Sequence, residues 1–161
     1  MSKLDPEHEV ARLRAAIDQA QTAMVMIDRD FNITYINKET LTLLGSYLAI
    51  KGLLRNTKQE RHHYQDLLAF TLEKDPEASS KITSYQLRIE EIDIEAKNYT
   101  NQLRSLDRTL AELKNQLDSP RFTVFYLHYV KGMSLQKAAD KVGYSKAGAV
   151  KICRRIKSQI V

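Results

Sequence analysis

The spacing of apolar positions changes along the chain, and each change predicts a different element. Val10, Leu13, Ala16, Ile17 and Ala20 recur at helical spacing and predict a short amphipathic helix. Ala23 to Ile27 form a compact apolar run, Asp28 to Asn32 supply turn formers, and Ile33 to Ile36 read as a second strand. Together they predict a β-hairpin, which is marginal alone in water and must pack on something. Leu41, Leu43 and Leu44 predict a short helix ending at Gly45.

From residue 46 to 118 the pattern is helical. Tyr47, Ile50, Leu54, Tyr64 and Leu68 mark a first helix over 46–72, and Pro76 with Ser79 and Ser80 marks a turn and a new N-cap. Ile82, Tyr85, Ile89, Ile92, Ala96, Tyr99, Leu103, Leu106, Leu110, Leu113 and Leu117 then keep a three-four spacing without a miss, as in coiled coils and bundles. The expected arrangement is a helical hairpin, 46–72 against 81–117, doubled in a homodimer. In a parallel dimer the charges flanking the seam should complement across chains, yet only Arg88 with Asp93 fits that scheme. Leu87 and Ile94 add a second apolar line that favours a bundle over a two-stranded rod.

Composition sharpens this picture. With 43% hydrophobic residues, five Gly, three Pro and a mean hydropathy of −0.43, the 161 residues fit a soluble, mainly α protein. No apolar run approaches the roughly 20 residues of a membrane helix, so no membrane partner is expected. The single Cys153 leaves no internal disulfide and no multi-cysteine zinc site, and points to a reducing cytoplasm. The net charge of +5 is unevenly placed. Residues 1–45 and 46–118 carry −2 and −1, whereas residues 119–161 hold nine Lys and Arg against Asp140 alone.

That basic end reads as a helix-turn-helix. Ser119-Pro120 opens a first helix, with Val124, Phe125, Leu127 and Tyr129 expected on its buried face and Lys131-Gly132-Met133 closing it. Ser134 is placed to cap a second helix with Leu135, Ala138, Ala139 and Val142 inward. Gly143 makes the turn, and Tyr144 is expected to plug the core. Ser145 caps a third helix, with Ala149, Ile152, Cys153, Ile156 and Ile160 inward and Lys146, Ala147, Lys151, Arg154 and Arg155 outward. A basic helix presented after a short turn suits the major groove of double-stranded DNA. The candidate contacts are Ser145, Lys146, Ala147, Lys151, Arg154 and Arg155.

Two resemblances add to this. The AMVMIDRDFNITYINKET segment, with Asp28 and Asn37, resembles the opening of a PAS sensor domain from Leu13 to about Gly45. The later strands of such domains have no counterpart after Gly45, which implies a helix leader or dimerising cap joined to the rest as a natural or engineered fusion. The FYLHYVKGMSLQKAADKVGYSKAGAVKICRRI stretch resembles region 4 of sigma factors, through HYVKGMS and AADKVGYS. In organisation, residues 46–161 resemble the small phage-encoded, sigma-like regulators of the ArpU kind. The AGAV stretch is one residue longer than usual there, leaving open which of Lys146, Ala147 and Gly148 faces bases. The resemblance implies transcription regulation.

No catalytic constellation accompanies these motifs. His62 and His63 are consecutive and point about 100° apart on a helix, His128 is expected at a surface or phosphate position, and no phosphate-cradling glycine loop occurs. No enzyme activity, cofactor or metal is expected. The sequence reading is therefore a partial PAS-like segment over 1–45, a helical hairpin or coiled coil over 46–118, and a DNA-binding domain over 119–161. The alternatives are a helical adaptor that docks on a partner such as RNA polymerase, and a PAS-linked sensory regulator.

Overall fold

The computed structural model describes residues 6–19, 25–27, 33–36, 38–117 and 119–160. The turn expected over Asp28 to Asn32, together with Ala23, Met24 and Asn37, lies outside the described residues. The protein is mainly helical and contains a long helical hairpin. Its contacts divide it into two units, Met1–Tyr47 with Asp107–Val161, and Leu48–Leu106.

In the first unit, helix α1 (Pro6–Gln19) precedes two short strands, β1 (Val25–Ile27) and β2 (Ile33–Ile36). The strands pair antiparallel, with Val25 opposite Ile36 and Met26 opposite Tyr35, and the register shifts between Met26 and Ile27. Helix α2 (Lys38–Lys74) comes next. Its first turn presents unpaired backbone N–H groups, and Asp18 Oδ1 of α1 accepts from the N–H of Lys38 at 3.1 Å. Thr40, Leu44 and Tyr47 recur at helical spacing and are buried.

Helix α2 runs through Gly45 without a break, so the separate short helix expected to end there is the beginning of a longer one. The glycine serves close packing and not termination. A Cβ built on Gly45 would lie 3.4 Å from Cγ2 of Ile160, at the far end of the chain. Gly within a helix costs about 1 kcal/mol against Ala, and here that cost accompanies a contact between distant segments.

The C-terminal part of this unit is built on three serine caps. Ser119 accepts from the N–H of Phe122 and opens α4 (Pro120–Phe125), with Pro120 in its first turn. The helix widens into a π-helical stretch, Tyr126–Val130, in which Lys131 N–H donates to the Tyr126 carbonyl at 3.1 Å. Phe122, Val124, Phe125, Tyr126 and Val130 are buried, while Leu127 and Tyr129 are only half-buried. The expected buried face is corrected at those two residues. The wider turn carries Val130 inward where an α-helical turn would place Tyr129. Asp107 ties this stretch down, accepting from Tyr126 Oη at 2.9 Å and from Lys131 Nζ at 2.8 Å. That hydrogen bond raises the pKa of the Lys131 ammonium.

The second unit contains the remainder of α2 and most of α3 (Ser79–Leu117). Asp75 to Ala78 turn the chain, with Ala78 N–H donating to the Asp75 carbonyl at 3.1 Å. Within this unit the seam faces inward, with Ile92 fully buried and Ile82, Tyr85, Ile89, Ala96, Tyr99, Leu103 and Leu106 half-buried. The charges flanking it pair within the chain. Arg61 of α2 grips Asp93 of α3 at 2.6 Å, and Arg88 of α3 reaches Glu60 of α2 at 2.8 Å. Arg88 and Asp93, the one pair that would fit a parallel dimer, are thus engaged inside one hairpin. The Arg61 hydrogen bond lowers the pKa of the Asp93 carboxyl. Leu87 and Ile94 remain 55% and 63% exposed.

Candidate nucleic-acid interface

The site is assembled by α5 (Leu135–Val142) and α6 (Lys146–Gln159) around a three-residue turn. Ser134 accepts from Lys137 N–H and starts α5, and Ala138 and Ala139 are buried without bulk, letting neighbouring helices approach. Gly143 ends α5 with φ of 82°, a left-handed conformation that favours glycine. The Gly143 and Tyr144 N–H groups return to the carbonyls of Asp140 and Ala139 at 3.3 and 3.0 Å, which closes a Schellman cap. Ser145 then starts α6, its hydroxyl accepting from Gly148 N–H at 3.1 Å. A Cβ on Gly148 would lie 3.2 Å from that hydroxyl, a tight contact.

Ala149, Ile152, Cys153 and Ile156 anchor α6 in the core. At about 100° per residue, the direction opposite this face carries Ala147, Lys151, Arg154 and Ser158, all exposed. Lys146 and Lys157 lie on one flank, with Lys157 Nζ 5.5 Å from the centre of the Tyr129 ring. Arg155 and Gly148 lie on the other. Of the sequence-predicted contacts, Ala147, Lys151 and Arg154 share the outer strip, Lys146 and Arg155 border it on opposite sides, and Ser145 sits at its N-terminal end. Gly148 turns to the flank and is half-buried, whereas Lys146 and Ala147 are exposed.

The strip is electrostatically open. Lys146, Lys151, Arg154 and Arg155 form no ion pair among the described residues. Asp140, the acidic residue of this segment, accepts from Gln136 at 2.7 Å on α5. Two expectations change here. Tyr144 is half-buried under the Arg121 guanidinium, 5.6 Å from the ring centre, and does not plug the core. Nδ1 of His128 lies 2.8 Å from the Met133 carbonyl and is committed to the turn after the π-helical stretch. Arg121 and Lys157 stand beside this strip and are not among the sequence-predicted contacts. Lys157 was accessible through helical spacing from Lys146, while Arg121 comes from another helix.

The N-terminal segment carries a separate likeness. Residues 11–77 match a family profile described as PAS domain. The matched stretch takes in most of α1, both strands and all of α2. It therefore continues beyond Gly45, where the strand-based reading ended, since the matched residues past that glycine form helix and not further strand. No curated protein and no solved structure matches the chain. Among the described residues, no three His, Cys, Asp or Glu side chains gather as a metal site, and no helix is long and apolar enough to cross a membrane.

Proposed function

We propose that the protein is a sequence-specific DNA-binding transcription regulator that lays α6 in the major groove and dimerises through its helical hairpin. The observation that carries this reading is the outer strip of α6 with its borders, where Lys151 and Arg154 on the strip and Lys146 and Arg155 beside it form no ion pair among the described residues. Ordinary solvated faces mix signs. Ala147 keeps the N-terminal part of that face low, so the helix can approach base edges while Lys and Arg on either side attract phosphates. The likeness of the 121–156 stretch to region 4 of sigma factors supports the same reading from motif residues. Phage-type, ArpU-like regulation is its narrowest form.

Fluorescence anisotropy with fragmented genomic duplex tests it. Lys151→Ala with Arg155→Ala weakens binding and reduces the slope of log affinity against log salt by about two, one for each lost phosphate contact. Affinity and slope unchanged in the double variant overturn the assignment.

The PAS-domain match favours one refinement, a regulator whose N-terminal segment responds to a signal. Deleting residues 1–37 and losing a ligand response while keeping duplex binding supports it. The adaptor reading, with RNA polymerase as partner, is favoured instead if duplex DNA is not retained and an acidic protein surface is.

A further inference from the structure

Beside the proposed DNA-facing strip, between the start of α4 and one flank of α6, lies a cleft of about 290 Å³. Arg121, Tyr144, Gly148, Lys151, Ile152 and Arg155 are among the residues that line it. Its lining is largely hydrocarbon and includes the buried Ile152. Three cationic side chains stand around it, and among the described residues no acidic one lines it. The Arg121 guanidinium is spread over the Tyr144 ring, and its Nε is buried without a hydrogen-bond partner among the described residues. A buried charged donor left unpaired is costly, and it marks Arg121 as the least compensated of the three cations around the cleft.

We infer that this cleft binds a small organic acid with an apolar body. The anionic group meets Arg121, Lys151 and Arg155, and the body lies against Tyr144 and Ile152. The volume sets the size. A cavity of about 150 Å³ holds benzene, so this one takes one or two fused rings, or a chain of similar bulk. The apolar interior excludes inorganic phosphate as the best occupant, because the interior would then lie unfilled.

A second consequence rests on the DNA-binding reading. Lys151 and Arg155 belong both to the cleft and to the surface proposed for DNA. A bound acid takes up both cations and lowers affinity for duplex, and by linkage duplex lowers affinity for the acid by the same factor.

The probe is 2-naphthoate, titrated into the full chain by calorimetry, with naphthalene-2-carboxamide as its neutral counterpart. The acid is expected to bind with a Kd of about 1 mM or tighter, and the amide about tenfold more weakly or worse. Arg121→Met and Arg155→Met are each expected to weaken the acid about tenfold. Arg155 is exposed, so its variant retains the fold even if Arg121→Met disturbs it. No binding of the acid, equal binding of acid and amide, or unchanged affinity in the Arg155 variant overturns the site. Duplex anisotropy with and without 2-naphthoate then separates the two readings. Duplex that binds and is not weakened by the acid overturns the coupling, and acid that binds a chain with no duplex affinity overturns the DNA reading while supporting the cleft.

Discussion

The Tyr47 hydroxyl donates a 2.9 Å hydrogen bond to the carbonyl of Val130, a residue 83 positions later in the chain. Tyr47 is buried in the first turns of α2, and Val130 closes the π-helical stretch before the α5–α6 pair. A single phenol thus anchors the base of the candidate interface to the segment just after the two strands. Burial, more than the neighbouring Asp107 carboxylate, raises the pKa of that hydroxyl.

Tyr47→Phe keeps the ring and removes the donor, leaving the Val130 carbonyl without it. The expected loss is about 1–2 kcal/mol, read as a lower urea midpoint at unchanged slope. An unchanged midpoint would show that the bond adds nothing net.

Gly143 tests the turn. No atom lies within 4 Å of a Cβ built there, so Gly143→Ala meets no steric obstacle and its cost comes from the backbone at φ of 82°. About 1–2 kcal/mol is expected, and Gly143→Asn should cost less, since Asn tolerates the left-handed region. Thermal unfolding that ranks the two equally would contradict this account.

Cys153 predicts a pH dependence. Burial pushes its thiol pKa from 9.0 up to about 11, so the folded chain holds the proton more tightly than the unfolded one. The corresponding stability is fully present below about pH 9 and is lost as the pH rises through about 11, amounting to about 2–3 kcal/mol at most. Urea midpoints taken from pH 8 to pH 11 should therefore fall more steeply for the native chain than for Cys153→Ala. Parallel curves would rule out the thiol as the source.

The outer apolar line of α3 tests the proposed dimer. Leu87 and Ile94 are one heptad apart and mostly exposed, so Leu87→Glu with Ile94→Glu leaves the intrachain seam intact. Sedimentation should shift from dimer to monomer mass with the helical circular dichroism retained. A native chain already monomeric at the highest workable concentration removes the basis for dimerisation.

The seam of α3 was legible in the sequence, because a three-four spacing held over so many turns admits one element type. The serine caps of α4, α5 and α6 were legible too, since Ser119, Ser134 and Ser145 each precede an apolar helical pattern and each accepts an N–H three residues on. The features that escaped depended on contacts between distant segments. Gly45 reads locally as a stop, whereas α2 runs through it and the position faces Ile160 from the far end of the chain. The π-helical stretch escaped because a period of 3.6 was assumed where the chain uses a wider turn. By sequence spacing Arg88 and Asp93 would fit each other only across a parallel dimer, and the fold pairs them with Glu60 and Arg61 because spacing does not say which helix lies alongside. Arg121 escaped because its place beside Lys151 and Arg155 is created by the folding of α4 onto α6.

The contact at Gly45 also sets a size ceiling. A methyl group there would rest 3.4 Å from Cγ2 of Ile160, at the near edge of ordinary contact, so added bulk pointing that way meets Ile160 first. Ile160 terminates the helix that carries Arg154, Arg155 and Lys157. A position in the first third of the chain thus faces the residue that closes the last helix, and a change of side-chain volume at either one is felt at the other.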